Sequence, residues 1–267
     1  MSLRAAQCLS MLLVGVAMAT ESPQGHGDGG VPGAATERHP PTPHGKSVEL
    51  SLPGGNSSTA YVARPKGTPQ GGLLVLHEWW GLTDWVKAEA DRFARDGWLV
   101  LAVDLYGGNV TTDADEAQKL MSGLDEKSAA EVEVAGIDWL AQALKGKKIA
   151  TLGWSMGGGE SLNAALSSPG KVAATVIYYG LPVTDVNLLR KLNGPVLGIW
   201  AKRDGWVTPE KVAAFDLALK DAGIKHEFRS YDADHAFANP SGGSYNPDAA
   251  KDANEATRRW LAGVLKS

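Results

Sequence analysis

Cysteine is almost absent from this sequence. Cys8 is the only one in 267 residues, which excludes an intrachain disulfide and a metal site built on thiolates. A long basic block is also missing. The 26 lysines and arginines against 30 acidic residues leave a net charge of −4, so nucleic acid is not an expected partner. The one apolar stretch near the N-terminus is too short for a comfortable membrane span, and no internal repeat is found. What remains is ordinary globular composition, 43% hydrophobic and 21% charged. That suffices for one large α/β domain with a proper core. Tryptophan is plentiful at nine residues, to pack a core or line a cleft.

The first residues read as a secretory signal. Arg4 supplies a short positive region, and a mostly apolar stretch ends at Met11 to Ala19. Ala17 and Ala19 form an A-x-A pattern, with cleavage expected before Thr20. Cleavage would remove Cys8 and leave a thiol-free chain suited to an oxidising compartment. A periplasmic or extracellular location is therefore expected, with no stable membrane insertion after cleavage. Residues 20–45 are rich in Gly, Pro, His and Thr and nearly free of large apolar residues. They are expected to be a disordered linker. His26, His39 and His44 occur there without a ligand spacing, so no metal site is assigned.

Beyond Lys46 the pattern is regular. Ser47–Leu52 and Thr59–Ala63 alternate apolar and polar residues around Pro53-Gly54-Gly55-Asn56, a hairpin signal. Compact apolar runs follow at Leu73–Leu76, Leu99–Val103, Ile149–Leu152, Val172–Tyr178 and Val196–Trp200. Such runs predict strands buried on both faces of a parallel sheet. His226–Tyr231 is a last strand. Helices are predicted at Trp85–Arg95, Ser128–Leu144, Met156–Ser167, Pro209–Asp221 and Asp248–Leu265. The second of these carries an apparent capping box, Ser128 with Glu131. An antiparallel start followed by repeated β-α units implies one doubly wound, mostly parallel sheet of about eight strands, with helices on both faces. No second linker interrupts it, so residues 46–267 are read as one domain.

Gly153-Trp154-Ser155-Met156-Gly157 fits G-x-S-x-G. The pattern alone is a weak signal, but here a strand precedes it and a helix follows. That is the setting of a nucleophile elbow, in which small residues let the backbone turn sharply and Ser155 stands above the sheet. A serine hydroxyl needs a base. Downstream, the candidates are His226, inside a strand pattern and read as structural, and His235, in the loop after the last strand. Asp204 follows the strand Val196–Trp200 and can orient the imidazole. Asp232 and Asp234 are weaker competitors, because they lie so close to His235 in sequence. The order Ser155, Asp204, His235, each at a strand end, is that of an α/β-hydrolase triad. The strand Leu73–Leu76 runs into His77-Glu78-Trp79-Trp80-Gly81. In this fold that loop gives one oxyanion-hole N–H and the residue after the nucleophile gives the other, which makes Trp79 and Met156 the candidates.

Together these segments resemble the dienelactone hydrolase family of α/β-hydrolases, the carboxymethylenebutenolidases, from Lys46 to Leu265. The specific pieces are His77-Glu78-Trp79-Trp80-Gly81-Leu82, Asp104-Leu105-Tyr106-Gly107, the Ser155 elbow through Gly158, Asp204, and His235-Ala236-Phe237-Ala238-Asn239. The resemblance implies an α/β-hydrolase fold, a Ser155–His235–Asp204 triad, an oxyanion hole at Trp79 and Met156, and Glu78 close to the nucleophile. Trp80, Tyr106 and Phe237 are assigned to the substrate pocket. Two departures stand out. The family's usual nucleophile is cysteine, helped by the glutamate that matches Glu78, whereas serine stands here and should lean more on His235. Family members also hold a substrate carboxylate with arginines, and the matching positions here are Ala114 and Asn239. Arg203 is the cation left as a substitute, although it adjoins Asp204 and is free to pair with it or point to solvent.

The expected function is a secreted or periplasmic serine hydrolase that cleaves small carboxylic esters or lactones. It would work without metal or other cofactor, as a monomer. A catalytically silent scaffold used for binding is an alternative, although such members usually lose a triad residue. A small peptidase or acyltransferase on the same fold is another. Intact mass of exported protein tests the leader directly. The expected mass is that of a chain beginning at Thr20 with no thiol, and retention of Met1 or Cys8 in the exported, soluble fraction would contradict it.

Overall fold

The computed structural model describes residues 42–265. The expected signal segment and most of the expected linker lie outside them. Chain order is β1 (Lys46–Ser51), β2 (Ser57–Ala63), β3 (Gly72–Leu76), α1 (Asp84–Arg95), β4 (Leu99–Val103), α2 (Ala114–Ser122), α3 (Glu126–Leu144), β5 (Ile149–Trp154), α4 (Met156–Ser167), β6 (Val172–Tyr178), α5 (Val186–Leu189), β7 (Val196–Ala201), α6 (Pro209–Ala222), β8 (His226–Tyr231) and α7 (Pro247–Leu265). The strands form one eight-stranded sheet in the order β1-β2-β4-β3-β5-β6-β7-β8. β1, β2 and β4 pair antiparallel, and every later pairing is parallel. This is the α/β-hydrolase architecture expected.

The central strands read as unbroken apolar runs because helices cover both sides of the sheet. In β3, Leu74 and Leu76 join a core with Ile137 and Leu140 of α3 and Leu162 of α4. Leu73 and Val75 face the other way, into a core with Val86 and Phe93 of α1 and Leu261 of α7. Successive side chains point to opposite faces of a strand, so a strand this central has no polar side to show. The tryptophans divide between both uses. Trp85, Trp98, Trp154 and Trp200 are buried, while Trp79, Trp80 and Trp206 are half-buried near the strand ends.

Local signals set most boundaries. The Thr83 hydroxyl caps α1 by accepting from the Val86 N–H, and Gly223 ends α6 in the left-handed region at φ 73°. The capping box expected at Ser128 is displaced by one helical turn. Asp125 is the cap, its carboxylate accepting from both the Ser128 N–H and the Ser128 hydroxyl at 2.8 Å. An aspartate three residues earlier offers a stronger, charged acceptor, so the helix starts at Glu126. The helices α2 and α5 are not among those the sequence pattern predicts. At the other end of the domain, His44 and Gly45 of the expected linker are held to it. The His44 N–H donates to the buried Asp91 carboxylate at 2.7 Å, and the Gly45 N–H donates to the Tyr61 hydroxyl.

One backbone approach fixes where β3, β5 and α4 meet. A Cβ on Gly157 would lie 2.3 Å from the Leu76 carbonyl oxygen and 2.5 Å from that of His77. Both obstacles are main chain, so neither can swing aside. Gly157→Ala is therefore expected to cost about 1–3 kcal/mol, the range for overpacking a tight site. A thermal midpoint lowered by roughly 3–10 °C in the purified variant is the check, and an unchanged midpoint would show that the strand end can retreat.

Candidate active site

β5 stops at Trp154, and the chain reverses at Ser155 into α4. Ser155 has φ 53° and ψ −118°, a conformation side chains rarely adopt. Its N–H donates to the Tyr178 carbonyl at 2.9 Å, and its carbonyl accepts from the Gly158 N–H at 2.9 Å. These bonds brace the turn against its own strain. Tyr179 and Ala236 also have positive φ, and with Ser155 they make up three of the four such non-glycine residues among those described. All three lie at this one end of the sheet. Strain of this kind costs roughly 1–3 kcal/mol per residue and persists where surrounding structure enforces it.

The parallel strands deliver the other groups to the same edge, the carboxyl ends where open α/β sheets bind ligands. The Ser155 hydroxyl lies 2.8 Å from His235 Nε2, and His235 Nδ1 lies 2.7 Å from Asp204 Oδ2. Asp204 Oδ1 accepts from the N–H groups of Trp206 and Val207, each at 2.8 Å. Burial alone would raise the Asp204 carboxyl. The bonds from His235, Val207 and Trp206 outweigh it and hold the group below the usual carboxylate range. Asp204 therefore stays ionised and fully occupied as an acceptor. Asp232 and Asp234 do not contact the imidazole. Both pair with Arg203, Asp234 at 3.2 Å from Nε. Arg203 thus joins the Asp204 loop to the His235 loop on the exposed surface, and its side chain bonds Asp232 and Asp234 rather than Asp204. His226 is structural, as expected: its ring bridges Asp216 and the Ile224 carbonyl, each at 2.9 Å.

Glu78 sits at the end of β3, 2% exposed. One of its oxygens, Oε2, accepts from the Asn239 amide at 2.6 Å, while Oε1 is enclosed without a hydrogen-bond partner. The Ser155 hydroxyl bonds His235 and not Glu78. Burial pushes the Glu78 carboxyl up to about 7, against the opposing pull of Asn239 and His235. Next to it, Trp79 and Trp80 meet edge to face at 4.8 Å, both half-buried. Met156 opens α4, so its N–H has no acceptor within the helix. The Tyr106 hydroxyl donates to the Met156 sulfur at 3.1 Å.

One pocket assignment changes. Phe237 is fully buried, packed on Tyr179 at 5.4 Å and Tyr231 at 5.3 Å. It backs the His235 loop from the core. Ala114, matched to a family arginine, is exposed at the start of α2. The structure adds two residues that sequence reading passed over. Tyr179 and Trp206 set ring edges against the His235 imidazole, at 5.2 and 5.0 Å. Trp206 lies only two positions after Asp204, the one sequence clue available; Tyr179 had none beyond following a strand.

Comparison with known proteins agrees with this architecture. The family model described as dienelactone hydrolase family matches residues 58–265. A Saccharolobus solfataricus protein, named provisionally as a carboxymethylenebutenolidase, is 30% identical over 248 residues, covering 78% of this chain and 94% of its own. Protein usf of Aquifex pyrophilus is 32% identical over 221 residues, with coverage of 78% and 94%. Among solved structures, a Klebsiella pneumoniae protein named provisionally as a dienelactone hydrolase aligns with a TM-score of 0.73 at 27% identity, covering 82% of this chain and 99% of that one. With its fold, the strand-end placement of Ser155, Asp204 and His235, and these matches in accord, the chain belongs to the dienelactone hydrolase family.

Proposed function

We propose that this chain is an exported serine hydrolase that cleaves neutral carboxylic esters or lactones through an acyl-enzyme on Ser155. The observation that carries the reading is the unbroken chain of hydrogen bonds from the Ser155 hydroxyl through His235 to Asp204, at 2.8 and 2.7 Å. His235 Nε2 takes the serine proton as Oγ attacks the ester carbonyl carbon. Asp204 holds the ring and stabilises its protonated form. The N–H groups of Trp79 and Met156 receive the developing oxyanion. The close approach of the β3 end to Gly157 supports this pairing, since it brings the Trp79 loop against the start of α4. Each such donor contributes about 3 kcal/mol to transition-state stabilisation. The carbonyl re-forms, the ester C–O bond breaks, and His235 returns the proton to the departing alkoxide. Water then repeats the sequence on the acyl-enzyme. A complete triad also speaks against a silent scaffold.

The substrate reading rests on charge. An anionic substrate in a partly buried cleft needs a charge-assisted partner. Ala114 and Asn239 stand where the family resemblance puts arginines, and Arg203 is engaged by Asp232 and Asp234. The half-buried Trp79 and Trp80 offer apolar contact for an acyl group instead. Export is proposed on the leader pattern ending at Ala19.

Ser155→Ala should lower turnover of p-nitrophenyl butyrate by a factor on the order of 10⁴ to 10⁶ while the fold persists. More than a few per cent residual activity (about 2–5% on that scale) would assign the nucleophile elsewhere. His235→Gln should likewise remove the activity, because no base is then left to take the serine proton. For substrate choice, kcat/KM for p-nitrophenyl acetate should exceed that for a cis- or trans-dienelactone by roughly 30- to 1000-fold, the usual loss for one missing charged contact. A dienelactone preference would mean that another cation lines the cleft.

A further inference from the structure

A buried carboxylate with no cation beside it is uncommon, because the cost of removing its charge from water must be met by some partner. Glu78 has little to meet it with. One of its oxygens has a single amide donor, Asn239, and the other has none. The charged and titratable groups that bear on it come from three elements. His235 lies in the loop after β8, and its charge, when present, favours ionised Glu78. Tyr179 follows β6, and burial, reinforced by Glu78, keeps its phenol protonated. His77 precedes Glu78 itself, its Nδ1 2.6 Å from the Glu78 carbonyl oxygen, and burial pushes its imidazole down so that it stays neutral. Among the described residues no lysine or arginine pairs with Glu78.

Glu78 is bonded to Asn239 in the loop that carries His235, and the main chain just before it lies against Gly157, two residues after Ser155. Whatever occupies the site of attack therefore sits within the field of that carboxylate. We propose that Glu78 is the charge selector of this site: held by Asn239 and matched by no cation, its carboxylate excludes substrates with a negative charge near the bond to be broken. This rests on the esterase reading above and goes beyond it. Absence of an arginine makes the cleft indifferent to anions, whereas an ionised Glu78 makes it repel them.

The selection depends on pH in a definite direction. The Glu78 carboxyl is raised to about 7 by burial. Below that value it is a neutral acid and discriminates little. Above it the ionised form repels an anion. For charges about 6–10 Å apart at an effective dielectric near 20, the repulsion amounts to roughly 10- to 100-fold in a rate constant.

The experiment compares two acetate esters of the same shape, neutral 4-acetoxybenzamide and anionic 4-acetoxybenzoate, by kcat/KM at fixed ionic strength from about pH 5 to 9. Any pH effect on the catalytic machinery common to both esters cancels in their ratio. The neutral-to-anionic ratio should rise roughly tenfold or more across neutral pH. Glu78→Gln keeps an acceptor for the Asn239 amide and removes the charge, and should leave the ratio low and flat. A flat ratio in the unmodified protein, with both esters turned over, would overturn the selector. So would a rise that survives in a folded Glu78→Gln variant, because the charge would then lie elsewhere. If neither ester were turned over and a serine-directed phosphonate left Ser155 unlabelled, the esterase reading itself would fall, and the selector with it.

Discussion

The contact of Gly157 with the carbonyls of Leu76 and His77 is the constraint on which the site depends. It brings the end of one strand and the first turn of a helix to main-chain distance. A side chain there would force them apart. From that contact follow the sharp reversal at Ser155, the position of Met156 at the head of α4, and the placement of Glu78 and Trp79 beside them. The strain at Ser155 is local, but the bonds that enforce it come from elsewhere: the Tyr178 carbonyl at the end of β6 receives the Ser155 N–H. The elbow is thus a product of three strands, β3, β5 and β6, held in register.

Two carboxylates at the site lie in opposite surroundings. Asp204 accepts three hydrogen bonds, one from His235 and two from backbone N–H groups of its own loop. That is enough to overcome burial and keep it charged. Glu78 accepts one, from Asn239, and burial prevails. The difference lies in donor supply, since both groups are almost fully enclosed. A turn such as Asp204-Gly205-Trp206-Val207 presents successive N–H groups to its own first side chain. The loop after β3 directs no backbone N–H at the Glu78 carboxylate, whose one donor comes from the distant Asn239. Environment thus gives two chemically similar side chains different work within one site.

The His235 loop is held from several directions. Arg203 links it to the Asp204 loop at the surface, Tyr179 and Trp206 set ring edges against the imidazole, and Phe237 anchors it in the core. Exposed ion pairs such as those of Arg203 contribute little to stability. The buried aromatic contacts are the firmer hold on the position of the base.

Much of this was legible in the sequence. Apolar runs marked the buried strands, since a strand covered on both faces has no polar side to keep. The strand, G-x-S-x-G and helix sequence marked the turn, because only small residues let the backbone pass there. The order Ser155, Asp204, His235 followed the order of strand ends. These are signals of local pattern and chain order, which sequence carries directly. What sequence left open was decided by groups far apart in the chain. Asn239 and Glu78 are 161 positions apart, yet their hydrogen bond sets the surroundings of the buried carboxylate. Arg203 adjoins Asp204 in sequence but binds Asp232 and Asp234 instead. Phe237 was placed in the pocket by the motif around it, whereas it packs in the core on Tyr179 and Tyr231. Periodicity reports which side of an element is buried; which partner a buried or turning side chain meets is fixed only when the strands are brought side by side.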